Sequence, residues 1–419
     1  MQSNNRERHS PTPLYRWTVL VFVSLAMFGN YYVYDSISPL ADLLARELNF
    51  LDRDIGMLNA IYSIPNVFMV LIGGIIIDRL GPRLASFIFS ALCMIGAVLT
   101  AVQPDLWVMA SGRLIFGLGA ESLIVAVTTI IARWFKGKEL SFAFGLNLTI
   151  SRLGTFAALN SPTWAKPAYE NWQGPLIISV IFAVVSVISV VFYMMLDVRA
   201  EKRFTMQSFD DQDKIDLKQI FNFNRSFWLI TLLCITFYSA IFPFQTFAVK
   251  FFIQHHGVTR EFGGFLTSLL IFFSMVFTPM FGLLADKIGK RSLLMMIGSM
   301  MLIPVYLMMV YTDIHLLVPM AIMGISFSLI PAVMWPSVAL VVEEKRLGTA
   351  YGLMTMIQNV GLAGFNLLIG WANDFSQGYT LGMWIFSILG FAGLLFAYLL
   401  KRVEQGPKGH GLEKSMGSR

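Results

Sequence analysis

Charge is what this chain of 419 residues lacks most. Asp, Glu, Lys and Arg make up 13% of it, where a soluble protein carries about a quarter. Apolar residues make up 56%, with 36 Phe and 24 Met. No aqueous surface can be covered from that composition, which excludes the two or three soluble domains the length would otherwise suggest. Cysteine is nearly absent. Cys93 and Cys234 both lie inside apolar runs, so a disulfide framework is excluded. None of the five histidines lies deep in an apolar segment, which excludes a histidine proton relay. There is no Gly-Lys-Ser phosphate loop, so ATP does not drive the protein directly. No metal-ligand or nucleophile constellation is visible, and no cofactor, metal or enzymatic activity is expected. A cleavable leader is not expected either. The polar stretch 1–13 leads into an apolar segment that is long enough to stay and has no small-residue cleavage site.

The apolar residues come in runs with short polar breaks. Twelve segments are expected: 15–41, 54–78, 83–103, 106–133, 139–164, 173–197, 226–252, 260–286, 291–311, 315–342, 347–372 and 379–401. Each approaches or exceeds the ~20 residues a helix needs to cross a bilayer. Backbone groups in lipid must be paired within the segment, so the fold class is all-α and polytopic.

Charge placement predicts orientation. With the N-terminus in the cytosol, 24 of the 31 Lys and Arg fall on cytoplasmic segments. Arg46, Arg53, Lys166, Lys250 and Arg260 fall outside, and Arg113 and Arg152 lie within helices. This bias puts both termini in the cytosol. It also accounts for the net charge of +6 without nucleic acid. The longest polar stretch, 199–225, reads as a cytoplasmic linker. It divides the chain into an N-terminal six-helix half, 1–198, and a C-terminal half, 226–402, followed by a tail, 403–419.

Internal repetition supports two halves. Gly74, Asp78, Gly81 and Arg83 recur 208 residues later as Gly282, Asp286, Gly289 and Arg291. Gly145 and Gly154 recur 207 residues later as Gly352 and Gly361. Parallel six-helix repeats are the signature of a transporter with its site between the halves. The first motif, with Arg79, resembles the loop signature of the major facilitator superfamily, although Pro82 replaces a usual basic residue. Arg113, Gly117 and Gly119 resemble its fourth-helix signature. Asp78, Arg79, Arg83, Asp286 and Arg291 are expected to form a cytoplasmic gate, with a plain charged turn as the alternative.

Ionisable groups within membrane segments are costly and default to function. At ~1.5 Å per residue from the cytoplasmic helix ends, Glu121 and Asn66 lie ~18 Å deep, Arg152 ~21 Å, Tyr31 ~22 Å, and Tyr238 and Asn359 ~20 Å. These six form one layer contributed by both halves. One anion and one cation suit a zwitterion, since Arg forks onto a carboxylate and Glu accepts from an ammonium. The alternative is a Glu121–Arg152 ion pair that only ties two helices. Asp35, ~28 Å from Arg16, reads as an outer gate, a proton site or an exposed helix-end acid. Arg113 pairs with Asp35, tunes Glu121 or packs helices. Trp335 and Pro336 are read as a kink more than a ligand contact.

Longer stretches carry a narrower resemblance: 31–35, 65–67, 119–123, 134–140, 152–154, 335–339, 347–352 and 357–363. They resemble the lysosomal dipeptide transporters termed major facilitator superfamily domain-containing protein one. That resemblance implies a dipeptide uniporter whose fourth-helix Glu and fifth-helix Arg, here Glu121 and Arg152, clamp the peptide's amine and carboxylate. The sequence departs from those relatives. No acidic dileucine sorting signal precedes the first helix. Its two Asn-x-Ser/Thr sites, at Asn147 and Asn224, are on an expected helix and on the cytoplasmic side. The outward loops are short. The expectation is therefore a multi-pass protein of a prokaryotic inner membrane, lysosomal only if eukaryotic, with the lipid bilayer and a small-molecule dipeptide as its partners and no obligate protein partner. The alternatives are a proton-coupled carrier of a small organic anion or amino acid, and a non-transporting receptor or scaffold.

Overall fold

The computed structural model describes residues 11–135, 139–203, 223–343, 346–407 and 409–414. Most of the expected linker, 204–222, and the centre of the 134–140 stretch lie outside the described residues. Among those described there is no strand, and twelve long helices account for the chain. These are α1 (Pro13–Asp35), α2 (52–80), α3 (82–102), α4 (Leu106–Phe135), α5 (Leu140–Leu159) and α6 (Gln173–Arg203). The second half holds α7 (Arg225–His256), α8 (Arg260–Ile288), α9 (Arg291–Tyr311), α10 (Leu317–Val341), α11 (Leu347–Ser376) and α12 (Thr380–Glu404).

Three breaks differ from the simplest reading of the sequence. Between α2 and α3 the helical run is interrupted at one residue only, Gly81, with φ 78° and ψ 155°. Glycine adopts positive φ without strain, and the proline that follows has no N–H to continue the ladder. The segment expected to run 15–41 ends as a helix at Asp35. A 3₁₀ turn, Ser38–Leu40, and a short helix, Ala41–Leu48, follow it across the face opposite the termini. The expected 139–164 segment likewise stops at Leu159. Pro162 and Pro167 then open the short helices Ser161–Trp164 and Lys166–Glu170. Proline is well placed in a first helical turn, where its missing N–H has no partner to lose.

With an even number of spans, both ends of the chain share one face, here the terminal face. The tail is clasped there. Glu413 caps Ser292 at the start of α9, Glu404 accepts from Ser226, and Leu412 is fully buried. Across the molecule the halves meet along two seams, α2 with α11 and α5 with α8. The seams are tight only near the opposite face. A Cβ on Gly56 of α2 would stand 2.4 Å from the Asn366 carbonyl oxygen of α11, and one on Gly264 of α8 would stand 2.2 Å from that of Leu159. On the same four helices near the terminal face, Gly74, Gly145, Gly282 and Gly348 meet nothing within 4 Å. The halves therefore close at one face and splay at the other.

Candidate functional site

Three glycines bring the polar layer together. A Cβ on Gly117 would reach within 2.4 Å of the Tyr62 carbonyl oxygen, and one on Gly119 within 2.4 Å of that of Phe89. Helix α4 thus lies hard against α2 and α3, which sets Glu121 beside Tyr62. Gly154 does the same for α5, its Cβ position 2.2 Å from the Phe28 carbonyl oxygen of α1. That contact sets Arg152 beside Tyr31. Small residues permit such backbone approach between membrane helices.

The result is a cavity of about 280 Å³ between the halves. Glu121, Arg152, Tyr31, Tyr238 and Asn359 all line it, and so does Asp35. Glu121 and Arg152 are each half-buried, and no ion pair joins them among the described residues. Tyr62 lines the cavity beside Glu121. The Arg152 guanidinium lies 6.0 Å from the Tyr31 ring and 5.6 Å from the Phe327 ring of α10, so it sits between aromatic faces of both halves. The anion and the cation thus line one chamber, each beside its own aromatic partners. Each keeps hydrogen-bonding capacity for a third party.

Asn66 does not line the cavity; it is fully buried nearby. Asp35 is buried and accepts from Thr155 at 2.6 Å. Arg113 is also away from the cavity. Its guanidinium donates to the carbonyls of Leu58, Val33 and Tyr34 and to Asn59, binding α1, α2 and α4 together. Residues that sequence reasoning passed over include Tyr34, Tyr62, Thr155, Gln245 and Gln358. One signal was available. Tyr238, Phe242 and Gln245 recur at four and three residues, one face of a helix, and all three line the cavity. Trp335 lines it too and donates to the Tyr238 hydroxyl at 2.9 Å, while Pro336 follows inside α10.

Ion pairs sort by face. On the terminal face the following pairs stay within a half. Arg83 pairs with Asp197 at 2.6 Å and with Glu201, Arg133 reaches both acids, and Arg291 pairs with Asp286. Asp78 and Arg79 are exposed and take no part in these pairs. On the opposite face, beside the local pairs Arg46–Glu47 and Arg53–Asp54, several contacts cross between halves. Asp52 of α2 accepts from Lys250 of α7 and, at 2.9 Å, from Asn373 of α11. Asp374 accepts from the backbone N–H groups of Asp52 and Arg53. Arg260 pairs with Asp42, and Lys166 with Glu261 at 2.8 Å.

The sequence profile of the Major Facilitator Superfamily matches residues 23–259 and again 244–416. The Lysosomal dipeptide transporter MFSD1 of Danio rerio is 33% identical over 419 residues, which cover 97% of this chain and 90% of that protein. The protein of the same name from Homo sapiens is 34% identical over 409 residues, covering 94% and 88%. Among solved structures, the nucleoside transporter NupG superposes with a TM-score of 0.74 over 93% of this chain and 99% of its own, at 16% identity. At that identity the likeness is one of fold alone.

Proposed function

The chain belongs to the Major Facilitator Superfamily, and on that premise we propose that it carries dipeptides across a membrane by alternating access. One observation carries this reading: Glu121 and Arg152 share one cavity between the halves without pairing to each other. Two opposite charges left apart in a low-dielectric chamber are costly unless a ligand completes them. A dipeptide does so, with its ammonium on Glu121 and its carboxylate on the Arg152 fork. The volume of about 280 Å³ sits at the small end of ligand sites, which run to roughly 300–1,000 Å³, and suits a short peptide. Full-length similarity to proteins named dipeptide transporters supports the same substrate class.

The distribution of ion pairs supports a reading of two gates. The cross-half set around Asp52, Lys250, Asp42 and Arg260 is the closed gate of this conformation. In the opposite conformation Asp78, Arg79, Arg83, Asp286 and Arg291 close the terminal face. With both termini cytosolic, as the charge bias favours, this is the inward-facing state of a protein of an inner cell membrane. Transport is downhill uniport and needs no protein partner. The test is counterflow of labelled Ala-Ala in proteoliposomes, at equal pH on both sides and with an uncoupler present. Exchange of Ala-Ala supports the reading; no exchange of any dipeptide sinks it.

A second reading has its own observation. Asp35, an acid with no cationic partner within bonding distance among the described residues, lines the same cavity. It would serve as a proton site in a coupled carrier. Uptake against a gradient that collapses with the uncoupler distinguishes that case.

A further inference from the structure

Above the clamp, toward the closed face, a small annex shares Tyr34, Asp35 and Phe242 with the cavity. Gln245 of α7 lines both spaces. Its position is tied to the clamp through α5. Thr155 stands three residues beyond Arg152, about one helical turn or ~4.5 Å nearer the closed face. It holds Asp35, which also lines the annex. Four of the other polar side chains there bond within the protein. Asp35 accepts from Thr155, Ser38 donates to the Gln245 backbone carbonyl, Asn59 accepts from Arg113, and Thr246 donates to Asn366. The Gln245 side chain makes no such bond. It is 2% exposed, and neither its amide nitrogen nor its amide oxygen has a partner in the protein. Native interiors rarely leave both ends of a buried amide unpaired, and each such group calls for an explanation.

Resting on the dipeptide reading above, we infer that Gln245 is a specificity residue that hydrogen-bonds the substrate's own peptide group. The clamp recognises two charges a fixed distance apart and says nothing about what joins them. A side-chain amide supplies both a donor and an acceptor, the complement of a peptide carbonyl and a peptide N–H. It comes from the C-terminal half, whereas both clamp charges come from the N-terminal half. A peptide held by all three therefore touches both moving bodies. A charged chain with no amide leaves Gln245 buried and unpaired, and a site built to hydrogen-bond a group rejects analogues that lack it.

The probes are glycylglycine and 5-aminopentanoate, which place the same number of backbone atoms between ammonium and carboxylate and differ in the amide. Binding of each to the purified full-length protein is measured for wild type and for Gln245→Met, which keeps the length of the side chain and removes its amide. Wild type should prefer glycylglycine by about tenfold or more, the scale of one buried hydrogen bond. In Gln245→Met the preference should fall within about threefold, mostly through weaker glycylglycine binding. The unliganded variant should unfold at or above the wild-type temperature, since a structural amide would lower it and an unpaired one would not. Gln245→Leu serves if the first variant fails to fold. A preference that survives in the variant overturns the inference while the transport reading stands. So does an equal loss of both ligands with a lowered unfolding temperature. If wild type binds neither probe nor Ala-Ala, the dipeptide reading fails and this inference falls with it.

Discussion

Replacing Asp52 by Asn tests what holds the halves together at the closed face. The carboxylate is 5% exposed and accepts from Lys250, itself 6% exposed, and from Asn373. Asp52→Asn keeps the shape and removes the charge, so the closed state keeps a buried ammonium without a counter-ion. Breaking one side of a buried pair costs about 3–5 kcal/mol. The cost falls on the closed state alone, because separation of the halves returns Lys250 to water. A bias of about 3 kcal/mol shifts a two-state equilibrium by on the order of a hundredfold. Lys250→Met in the same chain removes the orphaned charge and should restore much of the closure. The assay uses a reporter thiol at Ser38→Cys, a near-isosteric change beneath the closed face. Labelling is by a membrane-impermeant maleimide applied from the side opposite the termini. The native cysteines are both buried. Slow labelling in the parent, fast labelling with Asp52→Asn and intermediate labelling in the double variant are expected. Equal labelling of all three would refute the argument that this pair holds the face shut.

Capping a dipeptide by N-acetylation removes the cation that Glu121 accepts. N-acetyl-Ala-Ala and free Ala should then compete more than tenfold more weakly than Ala-Ala for the purified protein, and equal affinity would reduce Glu121 to a structural group. Arg152→Lys should lose dipeptide binding with folding retained, read by calorimetry alongside thermal unfolding, because an ammonium cannot make the two parallel bonds of a guanidinium. Gly56→Ala should favour separation at the closed face and speed thiol labelling, since its Cβ meets the Asn366 carbonyl at 2.4 Å. A reporter fused after Arg402 should be active only in the cytosol, and activity on the outer side alone would reverse the orientation.

Much of the site was legible because a charged or amide side chain within a twenty-residue apolar run is improbable without a task. Residue counting gave the depth of Glu121, Arg152, Tyr31, Tyr238 and Asn359, and all five reach one cavity. The same counting failed for Asn66, at the right height but away from the cavity lining. Height follows from residue number, but the direction a side chain faces depends on how its helix is rotated against its neighbours. Gln245 was missed for a related reason. Its place inside an apolar run was visible in the sequence, but only the surrounding structure shows that its two polar atoms lack partners.

What the sequence by itself determined is the set of elements and the inventory of charges. Apolar run length sets the spans, the two motif copies mark the halves, and the scarcity of charge makes each interior one conspicuous. The tertiary structure decided which of those charges meet. Asp52 and Asn373, 321 residues apart, share a hydrogen bond across the halves, while Asp78 and Arg79, prominent in a repeated motif, join no ion pair among the described residues. A transporter's two conformations have one sequence. Which face is closed therefore depends on the packing of α2 on α11 and α5 on α8, contacts that each conformation makes at a different end of the same helices.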